Sequence, residues 1–282
     1  MQYGLTLPNF GQFFDPRVVA DLAAEAEDAG WHGFFLWDHM LFDGRPRPIA
    51  DPWVALAAVA ESTSRIRIGT LVTPLARRRP WKLARETVTL DHLSGGRLVL
   101  GVGLGSPSDV EFGRFGEEPD PIVRGEKLDE GLEVLTGLWS GRPFEFQGKH
   151  FQVDEIAFEP SPLQTPRIPI WVGGVWPRKG PFRRAARWDG MFPLIRGNGR
   201  MFGSPTPREL EEMMAFVGAH RETAAPFDVV VGGKIAREDP DKGAAEVEAF
   251  AKAGATWWLE GPRDEGDLDY IREIIPQGPA GR

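Results

Sequence analysis

Eight times along this chain of 282 residues, a short apolar stretch rich in strand formers is followed by an amphipathic helix. The first unit sets the pattern. "YGLTLP" precedes "DPRVVADLAAEAEDAG", in which Asp15 is placed to cap a helix, Pro16 occupies its first position, Val19, Leu22, Ala23 and Ala26 form an apolar stripe, and Gly30 stops it. "GFFLW" follows as the second strand. A helix opening on Asp51 and Pro52 leads to "IRIGTLVT", and one from about Pro80 to Leu93 ends at "SGG" before "RLVLGVG". The fourth helix, about 122 to 139, aligns Leu128, Leu132, Leu135 and Trp139 on one face.

The alternation then pauses over about 140 to 168, where aromatic residues around "QGK" read as a hairpin and a proline-rich run follows. It resumes with "IPIWVGG", "GPFRRAARW", "DGMFPL", a helix over 207 to 222, "FDVVVGGK", "DPDKGAAEVEAFAKAG", "ATWWLE" and "DEGDLDYIREIIP". Eight strand and helix pairs predict an α/β fold: a (β/α)8 TIM barrel, with one domain over 1–282 and a short insertion after helix 4. A doubly wound sheet is the structural alternative.

Composition narrows the function. With 33 basic against 41 acidic residues the formal charge is −8, so no global positive field draws the chain to nucleic acid. The absence of cysteine removes thiolate nucleophiles, cysteine-ligated zinc and iron–sulfur clusters. "QYGLTLP" at the start lacks the basic flank and long apolar core of a signal peptide, and no apolar run reaches the roughly 18 residues of a membrane span. The expected location is therefore cytoplasmic, without membrane association.

A barrel concentrates chemistry at the C-terminal ends of its strands. The windows there are Asn9 and Phe10, Asp38 and His39, Leu71 to Pro74, Gly103 to Ser106, Gly173 and Gly174, Phe192 and Pro193, Gly232 to Lys234, and Glu260. His39 is the one histidine of five that falls in a window, so a proton or hydrogen-bond donor is expected there. The bland alternative is an Asp38–His39 pair that closes a loop. Asp38, His39 and Glu260 are too few for a metal centre, and none is expected. Lys234, the only lysine in a window, leaves a Schiff-base aldolase as an alternative. Gly173-Gly174, with Arg178 nearby, competes with Gly232-Gly233 as a phosphate cradle. Arg77 to Arg79 reads either as a clamp for an anionic tail or as a solvated loop.

"LVLGVGLGS", residues 98 to 106, has GxGxG spacing with Ser106 in the sixth place, which is not the dinucleotide fingerprint. It reads instead as a barrel strand whose Gly103 and Gly105 admit a flat ring close to the backbone.

Taken in order, "GWHGFFLWDHM", "IRIGTLVTPLA", "TLDHLSGGRLVLGVGLGS", "RGEKLDEGLEVLTGLW" and "PRIPIWVGG" followed by "RRAARWDG" resemble the bacterial luciferase-like flavin-dependent family over about residues 1 to 195. The resemblance implies an oxidoreductase holding FMN or coenzyme F420 across the barrel mouth, often as a homodimer. Its ring would lie against a non-prolyl cis peptide at Leu71–Val72, with the phosphate at Gly173 and Gly174. His39 and Asp38 match the family's catalytic pair. The implied cofactor contacts are Asn9, Thr70, Leu71, Val72, Gly103, Gly105, Ser106, Gly173, Gly174, Val175 and Arg178.

The resemblance points first to monooxygenation of a small organic substrate by reduced FMN and O2, with a separate flavin reductase as an implied partner. The alternative is hydride transfer with F420. The family's F420-dependent sugar-phosphate dehydrogenases carry a carboxylate after the third glycine and a tryptophan four places after the histidine. Ser106 and Asp43 stand there in this chain, which argues against that activity. A non-catalytic flavin-binding barrel is the remaining alternative.

Overall fold

In the computed structural model, residues 1–196, 202–262 and 267–279 are described. Eight parallel strands close into a barrel: β1 (Gln2–Leu7), β2 (Gly33–Leu36), β3 (Arg67–Pro74), β4 (Leu98–Gly103), β7 (Ile170–Trp176), β8 (Gly190–Ile195), β9 (Asp228–Gly232) and β10 (Trp257–Glu260). The order around the barrel is β1-β10-β9-β8-β7-β4-β3-β2, with β1 paired to both β10 and β2. This is the expected TIM barrel, not a doubly wound sheet. The excursion over 140–168 forms an antiparallel hairpin, β5 (Phe144–Gln147) with β6 (Gln152–Ile156), after the long helix α5 (Pro121–Trp139).

Helices α1 (Pro16–Asp28), α2 (Pro52–Ser62) and α3 (Pro80–Leu93) begin at proline, as read from the sequence. Asp15 accepts from the Arg17 amide, and Asp51 from the amides of Trp53 and Val54, so both cap as expected. A short helix the sequence did not announce, α4 (Ser108–Glu111), follows β4. Beyond it lie α6 (Lys179–Ala185), α7 (Pro207–Gly218), α8 (Pro240–Lys252) and α9 (Leu268–Ile274). The helix expected over 207–222 ends at Gly218 in a tight turn, where the His220 and Arg221 amides both donate to the Val217 carbonyl and the Arg221 side chain donates to the carbonyls of Ala186 and Trp188. Part of the stretch read as the last helix, 263–266, lies outside the described residues.

Strand alternation divides the apolar residues into two sets. Leu5, Leu7, Phe34, Leu36, Leu98, Leu100 and Val102 face out and join the helices in the main core. Phe35, Leu71, Val99, Trp171, Val230, Trp257 and Leu259 face in and plug the barrel. At the N-terminal floor of this plug, Asp228 accepts from the indole nitrogens of Trp171 and Trp257, both at 3.1 Å. Burial pushes its carboxyl above the usual range against those hydrogen bonds.

Much of the sequence motif "LDHLSGGR" is structural. Arg97, buried, donates to carbonyls of Ala60, Thr63, Ile66 and Ser94, and Asp91 accepts from Leu163 and Gln164 of the proline-rich run. Both tie elements together below the strands, where a barrel stores stability.

Candidate functional site at the barrel mouth

The alternation that fills the barrel interior puts glycine at half of the inward positions of its mouth. Continuing each inward-facing row to the strand ends reaches Thr6, Trp37, Val72, Gly103, Gly173, Phe192, Gly232 and Gly261. Four of these are glycine. β3 breaks register with β4 between Thr70 and Thr73, and the Leu71–Val72 peptide there is cis, at the bond the resemblance indicated. The bulge turns Val72 toward Gly103 and Gly173: a Cβ on Gly103 would meet Val72 Cγ2 at 2.7 Å, and one on Gly173 would meet Cγ1 at 3.0 Å. The glycines are thus required first by Val72. Val72 itself stays half-buried at the centre of the recess.

Gly105 answers to a different constraint. Its φ of +78° is a left-handed conformation, and a Cβ would meet Pro74 and Phe112 at 2.8 and 2.9 Å. Buried Arg124 of α5 clamps this turn by donating to the carbonyls of Leu104 and Gly105, with its guanidinium 4.6 Å from the Phe112 ring centre. The turn ends in a cis Ser106–Pro107 bond, with Ser106 half-buried.

His39 is the polar feature of the recess. Its Nδ1 lies 3.1 Å from Oε1 of Glu111, the last residue of α4, whose side chain is 0% exposed. Glu111 also accepts from the amides of Met40 (3.1 Å), Leu41 (3.1 Å) and Phe42 (2.6 Å) and from Arg77 Nη1 (2.5 Å). Burial pushes the Glu111 carboxyl up, but the hydrogen bonds from His39 and the Met40 amide and the Arg77 charge outweigh it and hold it at about 2. A carboxylate at Nδ1 fixes the tautomer with hydrogen there and turns Nε2 to the opposite edge of the ring. Nε2 has no partner among the described residues. The ring is 19% exposed and sits edge-on among Phe10, Trp37 and Phe42, at centroid distances of 5.9, 6.1 and 4.9 Å.

Asp38 takes a different part from the one expected. It makes no loop-closing pair with His39, and it does not reach the recess, since its side chain is 1% exposed. It accepts from Arg77 (2.8 Å) and Arg78 (2.7 Å). Arg77 and Arg78 therefore form neither an anion clamp nor a solvated loop: they turn inward, and Arg77 bridges Asp38 to Glu111. Two guanidinium and two carboxylate groups cancel, leaving a neutral buried brace behind His39.

Asn9 also corrects the sequence reading. Its amide donates to the carbonyls of His39 and Ala50 and accepts from the His39 amide, so it fixes the His39 backbone and offers a ligand nothing. Thr70 is wholly buried with its hydroxyl engaged by Gly101 and Thr73, and buried Gly174 faces outward, where a Cβ would strike Pro181 of α6. Val72, Gly103 and Gly173 do come together at the strand ends, with Leu71 buried, while His39 follows β2, Val175 lies near the end of β7 and Arg178 is exposed as the residue before α6.

Two further window residues leave the mouth. Glu260 faces outward to Arg237 at 2.7 Å, and burial pushes its carboxyl up. Lys234 is exposed with its ammonium 5.7 Å from the Tyr270 ring centre on the outer side, so the dry pocket a Schiff-base lysine needs is missing.

Glu111, Arg77 and Arg124 are what sequence reasoning missed or misread. The signal for Glu111 was an acidic residue between two apolar ones, Val110 and Phe112, shortly after a mouth glycine.

A braced histidine beside glycine-rich strand ends thus stands at the C-terminal mouth of a (β/α)8 barrel, the end at which barrel enzymes build their sites. The chain belongs to the luciferase-like monooxygenase family, whose model matches residues 1–275. It is 34% identical over 169 residues to the F420-dependent glucose-6-phosphate dehydrogenase of Nakamurella multipartita, a match covering 58% of this chain and 48% of that one. The matched stretch thus spans about half the length of that curated relative. The fold is similar to that of the coenzyme F420-dependent tetrahydromethanopterin reductase of Methanopyrus kandleri (TM-score 0.76, 19% identity, covering 98% of this chain and 97% of that one). It is also similar to the oxygenating constituent of 3,6-diketocamphane monooxygenase of Pseudomonas putida (TM-score 0.72, 15% identity, covering 99% and 97%).

Proposed function

We propose that the chain is an oxidoreductase that holds a flavin-type ring, FMN or the deazaflavin F420, in the barrel mouth and acts on a small organic substrate. The observation that carries this reading is the recess itself. Four inward positions lack side chains, Val72 stands among them as a backing for a flat ring, and His39 Nε2 has no protein partner among the described residues. The residues fit such a ring: its edge would rest on Val72 over Gly103 and Gly173, and its phosphate-bearing arm would run toward Val175 and the exposed Arg178.

When bound, the ring supplies two-electron chemistry. The chain's part is to orient ring and substrate, exclude water and handle a proton at His39 Nε2. The Glu111 carboxylate holds the imidazole in one tautomer and orientation, as a proton-transferring group beside a hydride acceptor requires. A fixed imidazole serves either cofactor, and what supports hydride transfer with F420 is the likeness to an F420-dependent dehydrogenase. Monooxygenation with reduced FMN and O2, served by a separate reductase, is the second reading, and the family match is what supports it.

Titration of the protein with F420 and with FMN, followed by absorbance and fluorescence, tests the proposal. F420 should bind with a spectral shift, and Val72→Asp should weaken it at least tenfold. No spectral change with either cofactor would remove the reading. Tight binding of FMN alone would replace F420 with the second reading. A homodimer in the cytoplasm without nucleic-acid partners belongs to the same proposal. Among the described residues no helix is long and apolar enough to cross a membrane.

A further inference from the structure

Glycine falls at the mouth in two arcs. In barrel order, Gly173 and Gly103 lie between Phe192 and Val72, while Gly232 and Gly261 lie between Phe192 and Thr6. The first pair backs the ring proposed above. The second pair, at the end of β9 and just past β10, has no part in that assignment.

Packing accounts for three of the four. A Cβ on Gly103 or Gly173 would press on Val72, and one on Gly261 would meet the Thr6 carbonyl oxygen at 2.9 Å. A Cβ on Gly232 would find nothing closer than the Ser204 hydroxyl at 3.5 Å and the Leu259 carbonyl at 3.8 Å, which is ordinary contact. Its φ also lies outside the left-handed range. Neither neighbours nor backbone therefore require glycine at 232, and the half-buried space a side chain would fill is left open. Its surroundings are apolar: Val230 and Leu259 belong to the barrel plug, and Phe192 and Leu194 share the inward row of the adjacent β8. The amide that a phosphate cradle would need at Gly233 already donates to the Leu259 carbonyl, and Trp258 occupies the place of a Gly233 Cβ. Lys234 turns outward to Tyr270, and exposed Arg196 stands beyond the end of β8.

Thr6 supplies a polar end. Its half-buried hydroxyl accepts from Trp37 Nε1 at 3.1 Å, and no acceptor among the described residues takes its own hydrogen. A hydroxyl whose lone pair holds an indole N–H keeps that hydrogen for another partner. Thr6 and Gly232 are two strand spacings apart, about 10 Å, the span of a small fused-ring molecule. With its hydrogen on Nδ1, the neutral His39 ring offers only an acceptor, so a ligand atom that can only accept finds its donor at Thr6.

We infer that Gly232 and Thr6 form a second subsite of the mouth, which takes the non-reacting part of an uncharged substrate: a flat apolar group over Gly232, with a hydrogen-bond acceptor at the Thr6 hydroxyl. The inference rests on the oxidoreductase reading only for calling the ligand a substrate, and the subsite can be probed with or without a cofactor. Thr6 and Gly232 are then specificity residues, separate from the Glu111 brace and from the glycine arc that backs the cofactor.

Quinoline and naphthalene share one shape and differ by one acceptor nitrogen, so together they probe both ends. In calorimetric titration of the full chain at neutral pH, alone and with F420, quinoline should bind roughly fivefold tighter than naphthalene, the worth of one hydrogen bond. Thr6→Val should bring that ratio to about one without weakening naphthalene, and Thr6→Ser should restore it. Gly232→Ala should weaken both probes by about fivefold or more, while urea unfolding and F420 affinity stay at wild-type values. That variant serves if Thr6→Val does not fold. Equal affinities for the two probes in the wild type, or binding that Gly232→Ala leaves unchanged, would overturn the inference while leaving the cofactor reading intact. So would failure of both probes in both states. The expected pattern in a protein that takes up neither F420 nor FMN would support the subsite and remove the redox reading.

Discussion

Replacing Glu111 with glutamine changes one atom and removes one charge, and the structure sets what that costs. Both carboxylate oxygens of Glu111 act only as acceptors: Oε1 from His39 Nδ1 and the amides of Leu41 and Phe42, Oε2 from the Met40 amide and Arg77. Whichever way a glutamine amide is turned, its NH2 faces at least two donors, and Arg77 keeps only Asp38 to balance its charge. Loss of hydrogen bonds to a buried charge, about 1.5 to 3 kcal/mol each, and an under-compensated guanidinium put the destabilisation at about 3 to 5 kcal/mol at pH 7.

The pH dependence gives an independent check. The folded-state carboxyl sits at about 2 against an ordinary 4.5, so it contributes stability that is fully present above 4.5 and is lost as pH falls toward 2. The depression corresponds to about 3 kcal/mol. The difference in unfolding free energy between wild type and Glu111→Gln, measured by urea titration at a series of pH values, should therefore shrink steadily from pH 5 to pH 3. A difference below about 1 kcal/mol at pH 7, or one that stays constant over that range, would refute the brace described here.

A Cβ on Gly69 would run into the Val99 carbonyl of the neighbouring strand, so Gly69→Ala should cost at least about 3 kcal/mol by denaturant unfolding. Gly218, at the end of α7 with open space around it, should by contrast gain about 0.5 to 1 kcal/mol as alanine; similar effects at the two sites would contradict the strand packing. The raised carboxyl of Asp228 means the folded state holds that proton longer than the unfolded chain, so stability falls as pH rises from about 4 through the raised value. Asp228→Asn should flatten that decline in thermal melts, and an unchanged pH profile would show that the carboxyl ionises normally.

The eight-unit rhythm was legible because it is written in local chemistry. Asp15 and Asp51 cap where a short acceptor precedes proline, and the strands follow from β-branched and aromatic runs bounded by glycine. The bulge at Leu71–Val72 was reached only through family likeness, since no local rule places it. The limits of legibility appear at residues whose partners are distant in sequence. Asp38 and His39 are neighbours and read as a pair, yet Asp38 meets Arg77 and Arg78, while His39 meets Glu111, 72 positions on. Asn9, after β1, and Thr70, within β3, read as ligand contacts, yet their side chains are taken up by carbonyls of His39, Ala50 and Gly101, 30 to 41 positions away.

The sequence alone thus determined the barrel, the glycines at its mouth and the histidine among them, because strand period and helix caps act within a few residues. Which carboxylate braces that histidine, which arginines neutralise it and which polar groups are left facing the recess were decided only when β2, β3 and α4 came together. Pairing among buried charges depends on three-dimensional proximity and desolvation, and neither is written in local order.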